Sequence, residues 1–184
     1  MWTLPNILTM SRIATLPVII GLFYCPSVWA PWTALAFYTL ACITDFLDGY
    51  IARSMNSVSA FGKFLDPISD KIFVSCLILV LCAFERLEGW WLIAGLVIFI
   101  REFLISGLRE FLGPKNIQVP VTKLAKWKTT IQMIALGFLI VGNAGDVILP
   151  HTLLIGQILI SIAALLTAYT GWHYFKHSFH HLDT

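Results

Sequence analysis

Four aspartates lie between positions 45 and 70 of the sequence, namely Asp45, Asp48, Asp66 and Asp70. The first pair is spaced i,i+3 and the second i,i+4, so each pair shares one face of a helix. Four neighbouring carboxylates repel one another and would largely protonate unless cations were bound. Mg²⁺ and Mn²⁺ prefer oxygen ligands, and two such ions would neutralise four aspartates. The pattern therefore predicts a site for divalent cations.

Small and basic residues stand between the two aspartate pairs and indicate a ligand that carries phosphate. Gly49 and Ala52 remove side-chain bulk beside Asp48, so a ligand can approach the helix backbone closely. Arg53 offers two parallel donors to a phosphate. Gly62 repeats the small residue ahead of the second pair. The alternative to a ligand site is that the four aspartates only stabilise helix packing or carry protons. If these acids lie within a membrane, as the composition below indicates, they are functional by default.

The composition indicates what kind of protein positions these carboxylates. Of the 184 residues, 58% are hydrophobic and 12% are charged, and the mean hydropathy is +0.82. Globular domains average about 45–50% apolar and about 25% charged residues, and a transmembrane helix needs about 20 apolar residues. These values exclude a soluble nucleotide-binding domain and a disulfide scaffold. They predict a small, all-α integral membrane protein.

Hydropathy predicts a bundle of six transmembrane helices. Their ranges are 6–23, 32–53, 60–84, 90–112, 121–141 and 149–175. A short polar turn joins the second and third spans, and the two aspartate pairs lie at the same end of these spans. All four carboxylates are therefore expected to converge in an antiparallel helix pair.

Basic residues predict the orientation of the bundle. Arg86 lies at one end of the predicted spans, whereas nine other Lys and Arg residues lie at the opposite end. Because basic segments stay on the cytoplasmic side, both termini and the aspartates are expected to face the cytoplasm. The nine residues are Arg12, Arg53, Lys63, Arg109, Lys115, Lys123, Lys126, Lys128 and Lys176.

The spacing of the fixed residues resembles the signature of a known family. Written out, the segment is Asp45-x2-Asp48-Gly49-x2-Ala52-Arg53-x8-Gly62-x3-Asp66-x3-Asp70. It is similar to the signature of the CDP-alcohol phosphotransferases at every fixed position and every gap. The resemblance implies one membrane domain over residues 1–184, with the signature at 45–70. It also implies that two metal ions bridge the diphosphate of a CDP-linked lipid while an alcohol displaces CMP.

The resemblance assigns roles to the four aspartates. It implies that Asp45 and Asp66 bridge two Mg²⁺ or Mn²⁺ ions, that Asp48 holds the first ion and that Asp70 holds the second. Asp70 is also expected to be the catalytic residue, the general base that takes the proton from the attacking hydroxyl. Carried over in the same way, the residues that bind the CDP-linked lipid are Asn6, Thr9, Gly49, Arg53 and Ser59. Ordinary helix capping is an alternative role for Asn6 and Thr9.

Cations in the second half of the chain indicate the acceptor. A charged pair such as Arg101-Glu102 inside an apolar helix is costly unless it faces a polar cavity. The segments around Arg101 and Arg109, and from Lys126 to Met133, resemble the branch of the family that makes phosphatidylglycerophosphate in bacteria. That branch commonly has Gly where this chain has Ala125. Within 101–133, the residues expected to bind the acceptor phosphate are Arg101, Arg109, Lys126 and Lys128. The alternative role for these cations is to anchor the cytoplasmic ends of the helices.

The resemblance therefore implies transfer of a phosphatidyl group from CDP-diacylglycerol to sn-glycerol 3-phosphate by in-line displacement. The same chemistry with inositol phosphate, serine or a lipid headgroup as acceptor stays open. A cation-coupled transporter that uses the aspartates as its ion site is the alternative from another class. The expected partners are the two substrates, membrane lipids and a second copy of the chain in a homodimer, without nucleic acid. The expected location is the inner membrane of a bacterium, with the active site facing the cytoplasm.

Overall fold

A computed structural model of the chain describes residues 4–54, 60–113 and 123–179, apart from some side chains near the ends of these segments. The described residues form six α-helices and one 3-10 helix, without a β-strand. The α-helices are α1 (Leu4–Phe23), α2 (Ala30–Ser54), α3 (Ala60–Ala83), α4 (Trp90–Leu112), α5 (Lys123–Val141) and α6 (Thr152–Phe179). The prediction of an all-α protein with helices in these six regions is confirmed.

The connection between α5 and α6 is built from specific backbone geometry. Gly142 has φ +55° and ends α5, a conformation that glycine adopts without strain. A Cβ at Gly142 would also collide with the guanidinium of Arg86, which comes from the α3–α4 connection. The chain then forms a 3-10 helix over Gly142–Val147. Asp146 Oδ1 accepts a hydrogen bond of 2.9 Å from the backbone N–H of Thr152, which begins α6.

The helices pack as two groups that meet through α2 and α5. α1 packs against α2 and α3, whereas α6 packs against α5 and α4. The large, fully buried side chains that fill the centre come from five helices, and seven of them are Ile19, Leu77, Leu81, Ile98, Leu136, Leu139 and Ile160. This core fixes the relative positions of the helices that carry the predicted site residues.

The outer surface is apolar, as expected for a protein in lipid. Leu165 is 73% exposed and Leu104 is 65% exposed, although both lie within long helices. Among the described residues, three segments are long and apolar enough to cross a membrane: Trp90–Phe111, Lys126–Val147 and Thr152–Lys176. A shorter apolar helix covers Leu8–Phe23. Because water does not stabilise so much exposed apolar surface, the chain is a membrane protein.

Candidate active site

A cavity of about 540 Å³ lies among α1, α2, α3, α4 and α5. Its lining contains carboxylates from α2 and α3 and cations from α4 and α5, which the sequence separates by up to 83 positions. The sequence-predicted residues that line this single cavity are Asp45, Asp70, Arg101, Arg109, Lys126 and Lys128. Residues predicted to bind a metal and residues predicted to bind a phosphate are thus brought together.

Arg12 holds the carboxylate end of the cavity together. Its guanidinium forms ion pairs with Asp45 on α2 through Nη2 and with Asp70 on α3 through Nη1. The Arg12 side chain is only 4% exposed, and Nη1 also lies 3.5 Å from the hydroxyl of Ser69. Because one guanidinium contacts both acids, their carboxylates must lie close to each other. Three helices are therefore joined at this point.

Arg12 is a site residue that the sequence did not assign. The sequence predicts it as one of the basic residues that set orientation, not as a contact of the aspartates. The sequence did indicate that Arg12 has a partner, since a charge inside an apolar helix requires one. The partners themselves lie 33 and 58 positions away in the sequence, so no local spacing indicates them.

Several predicted site residues lie outside the described side chains. Asp48, Gly49 and Arg53 belong to α2, Asp66 belongs to α3 and Asn6 belongs to α1, but their side chains are not among those described. Ser59 lies in the segment between α2 and α3 that is outside the described residues. Thr9 is described and is buried in α1, one helical turn before Arg12. Within the described residues no group of three or more metal-ligating side chains is found.

Glu102 organises the cationic end of the cavity. Lys128 Nζ donates a hydrogen bond of 2.5 Å to Glu102 Oε1, and Arg101 Nη1 lies 3.6 Å from the same oxygen. The Lys128 side chain is 5% exposed, so its ammonium group is shielded from bulk water. The costly pair Arg101-Glu102 does face a polar cavity, as the sequence predicts.

Helix α6 supports two of these cations, a role that the sequence did not indicate. The guanidinium carbon of Arg109 lies 5.4 Å from the ring centroid of Tyr174, which is a cation–π contact. Arg101 lies against Gly171, where an added Cβ would be 3.1 Å from the Arg101 Cγ. Gly171 and Tyr174 share one face of α6 by their i,i+3 spacing. Their residue types alone do not distinguish this face from one that contacts lipid.

An apolar groove of about 480 Å³ lies beside the polar cavity, along α2 and α5. Tyr38, Cys42 and Met133 line both spaces, so the two are adjacent. The Tyr38 hydroxyl donates a hydrogen bond of 2.9 Å to the backbone carbonyl of Met133 and thereby joins α2 to α5 at this boundary. The tyrosine ring stacks on Phe73 with centroids 5.9 Å apart. The site therefore has a polar part and an apolar part.

Known proteins similar to this chain belong to one family. The sequence model of the family described as CDP-alcohol phosphatidyltransferase matches residues 2–169 of this chain. A protein from Rickettsia bellii (strain RML369-C) is 50% identical over 173 residues, which cover 94% of this chain and 93% of the relative. A protein from Rickettsia typhi (strain ATCC VR-144 / Wilmington) is 48% identical over 176 residues, which cover 96% and 97%. A protein from Bacillus subtilis (strain 168) is 35% identical over 199 aligned positions, which cover 100% and 99%.

These three relatives carry the same name, CDP-diacylglycerol–glycerol-3-phosphate 3-phosphatidyltransferase. The alignments extend over nearly the full length of each relative, and the family model covers most of the chain. The family resemblance carried by the segment from Asp45 to Asp70 is thereby confirmed. The chain belongs to the CDP-alcohol phosphatidyltransferase family.

Proposed function

We propose that this chain is an enzyme that transfers the phosphatidyl group of CDP-diacylglycerol to sn-glycerol 3-phosphate, giving phosphatidylglycerophosphate and CMP. The observation that carries the proposal is the cavity in which Asp45 and Asp70 face the same space as five cations, namely Arg12, Arg101, Arg109, Lys126 and Lys128. This combination suits a reaction between two phosphate-bearing substrates, one of which is activated at phosphorus. The names of the relatives describe the same donor and acceptor.

The carboxylate end is the proposed site for the diphosphate of the donor. Members of the family generally use divalent metal ions, and the donor atoms here fit such ions, because Asp45 and Asp70 supply carboxylate oxygens from adjacent helices. We expect Asp48 and Asp66 to complete a site for two Mg²⁺ or Mn²⁺ ions. Bound there, the ions would polarise the phosphoryl oxygens and stabilise the charge on departing CMP. Asn6, Thr9, Gly49, Arg53 and Ser59 are the proposed contacts for the rest of the donor headgroup.

Asp70 is the proposed general base. Its side chain lines the cavity and is 57% exposed, so an acceptor hydroxyl can reach it. As Asp70 takes the proton, the hydroxyl oxygen bonds to the phosphorus that carries the diacylglycerol. The bond from that phosphorus to the CMP oxygen breaks on the opposite side, and CMP leaves. Arg12 positions the Asp70 carboxylate by holding it beside Asp45.

The cationic end is the proposed site for the acceptor phosphate. Arg101, Arg109, Lys126 and Lys128 line the part of the cavity formed by α4 and α5. Guanidinium and ammonium groups bind a phosphate dianion through charge-assisted hydrogen bonds. Glu102 keeps Lys128 in place through the 2.5 Å hydrogen bond. With the phosphate bound there, the far end of a short polyol can extend toward Asp70 in the same cavity.

The apolar groove is the proposed path for one acyl chain of the donor. It is lined by residues such as Leu35, Ile134 and Phe138, and it lies next to the polar cavity, with which it shares Tyr38. A lipid whose diphosphate lies at the aspartates must place its acyl chains in an apolar environment. The groove allows this without moving the headgroup out of the site.

The proposed arrangement in the membrane follows from the basic residues. We expect six spans within one domain over residues 1–184, with both termini and the cavity facing the cytoplasm. The named relatives come from bacteria, so the cytoplasmic membrane of a bacterium is the expected location. A homodimer is expected from the family resemblance.

The test is product analysis with purified protein, Mg²⁺ and CDP-diacylglycerol, with each acceptor supplied separately. We expect phosphatidylglycerophosphate and CMP with sn-glycerol 3-phosphate. Product with inositol phosphate, serine or a lipid headgroup, but not with glycerol 3-phosphate, would reject the proposed acceptor. Cation uptake into vesicles without any CMP release would support the transporter instead.

Two matched variants test the proposed chemistry. Asp70→Asn is expected to abolish CMP release, because an amide does not take up the proton or bind a divalent cation as a carboxylate does. Asp146→Asn is the control, since it makes the same change at the residue that caps α6 and keeps the oxygen that accepts from Thr152. Full activity in Asp70→Asn would rule out Asp70 as the base.

A further inference from the structure

A buried amide side chain in the wall of the cavity has a polar atom that the fold does not satisfy. Gln132 is 4% exposed and lines the cavity with the five cations and the two aspartates. Its Oε1 atom has no hydrogen-bond partner within the part of the chain that the structure describes. Buried amide oxygens are almost always paired, so this atom needs an explanation.

Another buried glutamine shows how the same fold satisfies such a group. Gln157 is 8% exposed, and its Nε2 donates a hydrogen bond of 3.0 Å to the backbone carbonyl of Arg86. Gln157 does not line the polar cavity. The two buried glutamines thus differ in setting, since one is bonded to the protein and the other lines a cavity that is proposed to hold substrates.

The position of Gln132 relative to Lys128 indicates which part of a ligand it meets. The two residues are spaced i,i+4 on α5, so they share one face and lie about 6 Å apart along the helix axis. Lys128 belongs to the proposed phosphate site, and Asp70 lines the same cavity from α3. Because Gln132 lines the cavity one helical turn after Lys128, an acceptor whose phosphate is bound at Lys128 can extend past Gln132 toward Asp70.

We propose that Gln132 forms a subsite that hydrogen-bonds the secondary hydroxyl of a phosphorylated polyol acceptor. This inference rests on the proposed function and assigns the part of the acceptor between its phosphate and its reacting primary hydroxyl. The secondary hydroxyl donates to Oε1 and thereby supplies the partner that this oxygen lacks in the fold. Gln132 therefore selects acceptors that carry a hydroxyl on the carbon next to the reacting one.

The experiment compares two acceptors that differ by this single group. The first is sn-glycerol 3-phosphate, and the second is 3-hydroxypropyl phosphate, which keeps the phosphate and the primary hydroxyl but lacks the secondary hydroxyl. For the unmodified chain we expect kcat/KM to be about tenfold higher with glycerol phosphate, the usual effect of one hydrogen bond in a water-poor site. Gln132→Leu should lower kcat/KM about tenfold for glycerol phosphate and less than about twofold for the analogue. The ratio of the two constants should then approach one.

Matched variants separate recognition from loss of folded protein. The ratio compares two substrates on one preparation, so a smaller folded fraction cancels. Gln132→Met, which keeps the length of an unbranched side chain, should give the same ratio as Gln132→Leu. Gln157→Leu removes the other buried amide and should leave the ratio at the unmodified value.

The outcomes distinguish the subsite from the proposed function. No product from glycerol phosphate with the unmodified chain would overturn the proposed function and the subsite with it. An active unmodified chain with a ratio near one would overturn the subsite alone. An equal fall for both acceptors in Gln132→Leu and Gln132→Met would also overturn it, because it would show a purely structural role.

Discussion

Lys128 on α5 donates a hydrogen bond of 2.5 Å to Glu102 on α4. Arg101 lies 3.6 Å from the same carboxylate oxygen, so one acid fixes two of the four cations proposed to bind the acceptor phosphate. A buried ammonium that loses its acid is left without compensation. Glu102 thus contributes to the proposed acceptor site although its own charge opposes a phosphate.

Replacement of Glu102 tests this relationship. Glu102→Gln is expected to raise KM for glycerol 3-phosphate about tenfold, because Lys128 and Arg101 lose the charge that positions them. The free energy of unfolding should fall by about 1–3 kcal/mol. KM for CDP-diacylglycerol should change less than about twofold. Initial rates at varied acceptor and donor concentrations, with a thermal melt in detergent, measure all three quantities.

Glu88→Gln is the control for this variant, because it removes the same charge from an exposed residue before α4. Its KM for glycerol 3-phosphate, its KM for CDP-diacylglycerol and its free energy of unfolding should equal those of the unmodified chain. An unchanged acceptor KM in Glu102→Gln would show that Lys128 and Arg101 do not depend on Glu102.

Arg12 provides a second prediction, at the carboxylate end. Arg12→Gln is expected to lower kcat about 100-fold, because Asp45 and Asp70 lose the guanidinium that joins both carboxylates to α1 and fixes their relative position. Arg12→Lys should be intermediate, since an ammonium keeps the charge but does not offer separate, fixed N–H groups to two carboxylates. CMP release at saturating substrates measures the effect.

Lys176→Gln, which removes a positive charge from an exposed position on α6, should leave kcat unchanged. Equal rates for Arg12→Lys and the unmodified chain would show that charge alone suffices. In that case the contact of one guanidinium with two acids would have no role in positioning Asp70.

The helices could be predicted from hydropathy because long apolar segments and their polar ends are local features. The fourth helix was predicted over residues 90–112 and is observed as Trp90–Leu112. The start of the sixth was predicted at 149, whereas α6 begins at Thr152. His151 has φ +62° and Asp146 caps the helix, and hydropathy carries no information on either feature.

The convergence of Asp45 and Asp70 on one cavity was predictable, because both aspartates belong to one short segment with regular helical spacing. Contacts between distant segments were not predictable in this way. Arg12 meets Asp70 across 58 positions, and Gly171 meets Arg101 across 70. These pairings depend on how the helices pack, and a single sequence shows no spacing that indicates them.

The contact between Gly171 and Arg101 gives a third prediction. A Cβ at Gly171 would lie 3.1 Å from the Arg101 Cγ and 3.5 Å from its Nε, so the two methyl groups of valine would displace the guanidinium. Gly171→Val is expected to raise KM for glycerol 3-phosphate roughly tenfold and to leave KM for the donor within about twofold. Gly107→Val is the control, because among the described residues a Cβ at Gly107 on α4 meets no atom within 4 Å apart from its chain neighbours and the local helix backbone. Equal acceptor KM values in both variants would contradict a supporting role for α6.

The apolar groove gives a fourth prediction, which concerns the lipid donor. Gly137 lines the groove, and a Cβ there would lie 3.4 Å from Leu35 Cδ1 and 3.8 Å from Tyr38 Cε1. Leucine at this position should fill the space between α2 and α5, and overpacking of this size costs about 1–3 kcal/mol. Gly137→Leu is therefore expected to raise KM about fivefold or more for a donor with two 16-carbon chains, but less for a donor with two six-carbon chains. The control is Gly21→Leu on α1, where the added Cβ meets no atom of the described residues within 4 Å apart from its chain neighbours and the local helix backbone. If Gly137→Leu leaves the donor KM at the value of the unmodified chain, as Gly21→Leu should, the acyl chain does not enter this groove.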